Sequence, residues 1–175
     1  HAGRREQGRQ PPDARGHGCS SAPSYGYCYD DLAADVVGFI EALGLSAPVL
    51  LGHSMGGMTA AVVASCRSQL RGLILADPTF LMPQRQREVY ESDVADQHRQ
   101  VLNQPWGDYL AEVRSRRSRR SREVIDLFAQ ARFQTSIRAF EILRPPDPDY
   151  VQLIQTIAVP ILLIIGDTGS VVSPE

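Results

Sequence analysis

The sequence predicts an α/β fold, a mostly parallel doubly wound sheet carrying a helical insertion, and three observations predict it. Short apolar runs bounded by proline, glycine or aspartate stand at 48–52 (PVLLG), 70–78 (LRGLILADP) and 159–167 (VPILLIIGD). Segments of helical periodicity lie between and before them. The alternation helix, strand, helix, strand is that of parallel strands joined by crossover helices.

The first element is a helix. From Asp30, the stretch DDLAADVVGFIEALG places Leu32, Val36, Phe39, Ile40 and Leu43 on one stripe, with two acids at its start and Gly44 at its end. PVLLG is short, apolar and bounded by Pro48 and Gly52, as a buried strand is. After Ser54, MGGMTAAVVASCRSQL has the length and small residues of a helix packed closely on a sheet. LRGLILADP gives the second strand and VPILLIIGD the third. Between them the chain is richer in charge, contains Trp106, and repeats Val124, Leu127, Phe128, Ala131, Ile137, Phe140 and Ile142 at helical spacing, which reads as a helical lid. The expected organisation is a poorly ordered segment 1–12, a core 13–79, a lid 80–157, and a further core strand and loop 158–175.

Composition narrows the function. With 175 residues, 43% hydrophobic content and a net charge of −2, the chain is that of an ordinary globular domain. Its overall charge points to neither nucleic acid nor membrane, and its small-molecule chemistry is expected in the cytoplasm. Cys19, Cys28 and Cys66 are odd in number and fit no metal-ligand spacing, so they read as small, buried or half-buried residues of a reduced interior. Residues 1–16 lack the apolar centre of a signal peptide. The chain opens on His1 and ends at SVVSPE without finishing an element, so it reads as a fragment, incomplete at both ends, of a parent longer by roughly 80 to 120 residues.

The chemistry concentrates at GHSMGG, 52–57. A nucleophilic serine needs its hydroxyl lifted clear of the backbone and its developing oxyanion near free N–H groups, and a tight strand-to-helix turn supplies both. Gly52 and Gly56 flank Ser54 where a side chain is expected to collide with neighbouring backbone. The Met55 N–H, at the start of the helix, faces the oxyanion position and gains from the helix dipole.

GHSMGG after PVLL, with DARGHGCSSAP (13–23) upstream, resembles the α/β-hydrolase family. The resemblance covers most of the chain from Asp13. It implies a lid after the strand that follows the nucleophile helix, and a triad in the order serine, acid, histidine. It carries Ser54 over as nucleophile and Met55 as an oxyanion-hole N–H, and marks His53 and His17 as residues without catalytic duty. It implies no metal, no organic cofactor and a small-molecule substrate; the overall charge, and the lack of any stretch long enough to cross a bilayer, give the expectation of no nucleic-acid or membrane partner. Asp77 in LADP also resembles the N-formylmaleamate deformylase branch of the family.

The match departs in three places. The family's acid usually stands three residues past the glycine of the third strand; here that residue is Gly169, leaving Asp167 nearby and Asp77 after the previous strand as alternative acids, with Asp77 favoured. No histidine follows His98, which sits in DVADQHRQ and reads as a solvated helical residue. RREQGRQPP stands where an apolar strand and a second oxyanion loop belong. Without a base the serine hydroxyl stays weakly nucleophilic, so the chain as it stands is expected to be nearly inert. Finally, RSRRSRRSR (114–122) packs six arginines into nine residues of a chain without lysine, and reads as a solvated lid face or interhelical loop.

Overall fold

A computed structural model describes residues 12–67, 69–116 and 120–166. Three parallel strands, β1 (Val49–His53), β2 (Gly72–Ala76) and β3 (Ile161–Ile164), lie side by side in chain order. Val49 pairs with Gly72 and His53 with Ala76; Ala76 in turn pairs with Ile164, so the three strands end level at their carboxyl edge.

Helix α1 (Tyr29–Ala42) has both predicted end signals. Cys28 and Asp31 form a reciprocal cap, with the Cys28 N–H and thiol both donating to the Asp31 carboxylate. At the other end Gly44 adopts φ +60°, its N–H donating to Glu41 and that of Leu45 to Ile40, the paired bonds that close a helix on a left-handed glycine. Helix α2 (Met55–Cys66) is buried without interruption from Gly57 to Ala64, packed between the sheet, α1 and α7 (Tyr150–Thr156). Its small side chains permit that approach on every side. Met58, Leu73 and Leu75 fill the centre of the core.

The alternation of a strand sorts its residues by face. Leu50, Leu73 and Leu75 point toward α2, while Val49, Leu51, Leu162 and Ile164 line the opposite face and are exposed, Leu51 by 69%.

Between β2 and α7 run α3 (Pro83–Tyr90), α4 (Val94–Leu102), α5 (Trp106–Arg116), α6 (Arg122–Phe133) and a 3-10 helix (Ile137–Leu143). The periodic stretch 122–143 is therefore two elements, broken at Gln134–Ser136. Its apolar stripe is not core: Ile125 and Ala129 are the buried residues of α6, while Val124, Leu127, Phe128 and Ala131 are exposed. α7 falls within the span expected for the lid yet packs on α2. The cysteines correct another expectation, since all three are free and exposed. His98 is corrected in the opposite direction: it is fully buried in α4, stacked on Phe140 at 4.6 Å, with Nε2 2.8 Å from the Thr135 carbonyl.

Candidate active site

Ser54 stands between the last residue of β1 and the first of α2, with φ 53° and ψ −122°. Side chains other than glycine seldom occupy that region, at a cost of about 1–3 kcal/mol, and they persist there only where neighbours over-determine the backbone. The neighbours are identifiable. The Ser54 N–H donates to the Ala76 carbonyl at 3.0 Å, extending the ladder to β2, and its own carbonyl accepts from Gly57 at 2.9 Å and Thr79 at 3.2 Å. Serine in front of a helix ordinarily spends its hydroxyl on capping. Ser54 makes no side-chain cap hydrogen bond.

The glycines around it have unequal reasons. A Cβ on Gly52 would lie 2.1 Å from the Gly56 carbonyl oxygen and 2.7 Å from the Gly57 nitrogen, so only glycine lets the strand pass under the helix. Gly56 meets nothing within 4 Å, so the collision expected there does not occur. It falls at Gly57, whose added Cβ would sit 2.8 Å from that of Pro78. The glycine doublet following the serine is the signal in the sequence that identifies this position. Met55 opens α2, so its N–H is among the first-turn donors for which a helix supplies no acceptor.

Asp77 follows β2 as Ser54 follows β1, each one residue past the paired strand ends His53 and Ala76 at the carboxyl edge. Asp77 also has positive φ, +42°, and its N–H donates to the Ile164 carbonyl at 2.7 Å. Asp167, the alternative acid, lies outside the described residues. His53 is exposed and points to the sheet face away from α2, and the His17 Nδ1 lies 3.0 Å from the Arg15 carbonyl. Among the described residues no three His, Cys, Asp or Glu side chains cluster as metal ligands.

A tie that periodicity cannot reveal supports the turn from behind. The Thr79 N–H holds the Ser54 carbonyl, and the Thr79 hydroxyl lies 2.9 Å from that of Tyr29, a buried phenol whose pKa burial pushes up to about 12. Beside Tyr29 opens a cavity of roughly 590 Å3 that also takes in Asp147, whose carboxyl burial raises to about 6. A second cleft, roughly 640 Å3, follows the free edge of β1 to Met55 and Gly56.

Residues 12–175 match the family model of the alpha/beta hydrolase fold. The chain is 33% identical over 172 residues to the N-formylmaleamate deformylase of Pseudomonas putida, covering 93% of this chain and 62% of that protein. The chain belongs to the α/β-hydrolase family. Solved structures agree. This α/β hydrolase superposes on the N-formylmaleamic acid deformylase from Pseudomonas putida S16 with a TM-score of 0.73 at 26% identity, covering 93% of this chain and 64% of the other. It superposes equally, TM-score 0.73 at 23% identity, on an E-2-(acetamidomethylene)succinate hydrolase, covering 92% and 64% of the two chains, a likeness of fold. The chain thus spans a little under two thirds of the length of these hydrolases.

Proposed function

We propose that the chain carries the nucleophile half of a serine hydrolase acting through an acyl-enzyme. The observation that supports this best is Ser54 itself: a strained φ, a hydroxyl not used for capping, and a helix amino terminus beginning at the next residue. In the proposed reaction the Ser54 Oγ attacks a carbonyl carbon while its proton passes to a histidine supplied from outside residues 1–175. The Met55 N–H helps hold the oxyanion. Collapse of the tetrahedral species expels the leaving group, which takes the proton from that histidine, and water then releases the acyl group and restores the serine. Asp77 orients the histidine, with Asp167 as the alternative. The substrate is a small ester, lactone or amide, or a compound cleaved at a C–C bond. The name of the 33% identical relative, an N-formylmaleamate deformylase, denotes an N-acyl group on a small carboxylate and favours the amide.

A second reading, a hydrolase-like protein that binds or signals without turnover, is favoured by one observation: no histidine follows His98. Labelling with a fluorophosphonate probe separates the two. A form extended at the carboxyl terminus labels, its Ser54→Ala variant does not, and residues 1–175 label weakly. An extended form with no reactive serine removes the catalytic reading and leaves the binding one.

A further inference from the structure

The arginine run has no part in the chemistry above, and four of its arginines, Arg114, Arg116, Arg120 and Arg122, are among the described residues of the lid. Helix α6 carries two apolar stripes. One, Ile125 and Ala129, is buried. The other, Val124, Leu127, Phe128 and Ala131, recurs at i, i+3, i+4 and i+7 and faces solvent, with Leu127 exposed by 65%. The helix does not hang loosely. Arg114 binds Asp126 through two hydrogen bonds of 2.8 and 2.7 Å, and Phe133 packs against Trp106 and Tyr109 of α5, so the α5–α6 hairpin holds itself together and presents the outer stripe on a fixed frame. At the amino end of that stripe the Arg120 guanidinium lies 5.2 Å over the Phe128 ring, and Arg122 is exposed on the first turn.

We propose that this hairpin docks on an anionic lipid bilayer, with Val124, Leu127 and Phe128 entering the boundary between headgroups and acyl chains while Arg120 and Arg122 meet the headgroup anions. Guanidinium groups bordering an exposed aliphatic and aromatic stripe match a surface that is charged outside and apolar beneath. A nucleic-acid backbone would engage the arginines and leave Leu127 in water. A second copy of this surface would bring arginine against arginine. A convex helix face fits a bilayer without needing a groove. No described helix is long and apolar enough to cross a membrane, so the contact is one of lying on it. The net charge of −2, one ground for expecting no membrane partner, averages over a face where Arg120 and Arg122 border the apolar stripe beside Glu123. The docking makes no use of the nucleophile and stands apart from the catalytic reading.

Vesicles of phosphatidylcholine with phosphatidylserine, compared with phosphatidylcholine alone, test it by co-flotation. The chain floats with the anionic vesicles only. Arg120→Gln with Arg122→Gln reduces the bound fraction's partition coefficient by at least about tenfold, as does raised salt. Val124→Ser with Leu127→Ser does the same, while an unchanged thermal midpoint shows that both variants fold. The exposed sheet face supplies the control: if binding ignores lipid charge and is abolished by Leu51→Ser, the adhesion is that of the sheet and the proposal fails. It fails equally if no vesicle is bound, or if the arginine-dependent binding goes to an oligonucleotide and not to vesicles.

Discussion

At the scale of the residue, the glycines give the sharpest test of how the serine is placed. Gly52→Ala forces a methyl group against backbone atoms that cannot yield, and a loss of more than about 3 kcal/mol is expected in urea unfolding. Gly56→Ala meets open space in a helix and is expected to be neutral or to gain up to about 1 kcal/mol. Equal losses at both positions would refute this account of the turn. Asp147 offers a pH test. Its pKa is raised from 3.8 to about 6 by burial, so the folded chain holds the proton more tightly than the unfolded one. Ionisation then weakens the fold as pH climbs from about 4 to 6, and the penalty is constant above that. Asp147→Asn is expected to stabilise by about 1 kcal/mol at neutral pH, a value reduced because the carboxyl is only half-buried, and to give no gain below about pH 4. The tight turn at Ser54 and the need for glycine at Gly52 are legible in the sequence because the spacing that gives them is local. Gly57 is marked in the sequence only as the second glycine of the doublet; the reason for it, like the tie from Thr79, lies with Pro78 and the Ser54 carbonyl arriving from elsewhere in the chain, which local spacing does not show.

At the scale of the element, α1 and the three strands are legible because each has both a pattern and punctuation. α6 shows the limit of pattern alone: its conspicuous stripe is the exposed one, and the buried pair Ile125 and Ala129 is too sparse to stand out. His98 shows another limit. A polar residue in a polar stretch reads as solvated, whereas the stacking on Phe140 comes from an element some forty positions away. That burial has a measurable result. Desolvation, with Arg132 and His17 adding to it, lowers the His98 pKa against the opposing Thr135 hydrogen bond, and among the described residues its Nδ1 has no hydrogen-bond partner. A folded-state pKa below the usual 6.5 means stability that is present above about pH 6.5 and lost as the pH falls. The thermal midpoint is therefore expected to drop on acidification from about pH 7 to 5, and to drop less steeply in His98→Gln, which does not titrate. A variant with the parent's slope would remove His98 from the account.

At the scale of the whole molecule, the described sheet is covered by α2 over β1 and β2 and exposed on its other face, with Leu163 of β3 exposed beyond the cover of α2. Parallel sheets are ordinarily buried on both faces, and contiguous apolar surface of this kind drives association. Leu51→Lys with Leu162→Lys is expected to shift residues 1–175 toward the monomer in analytical ultracentrifugation; unchanged association would place the adhesive surface elsewhere. The carboxyl edge of the same sheet carries a different lesson. Ser54 and Asp77 are fixed by main-chain bonds, from the Ser54 N–H to Ala76 and from the Asp77 N–H to Ile164, and no side chain takes part in either. Those bonds need only a backbone N–H and a residue that tolerates positive φ at 54 and 77. The edge is in effect a pair of sockets whose backbone is set by the ladder, so small side chains can be exchanged at 54 or 77 without renegotiating the fold that holds them.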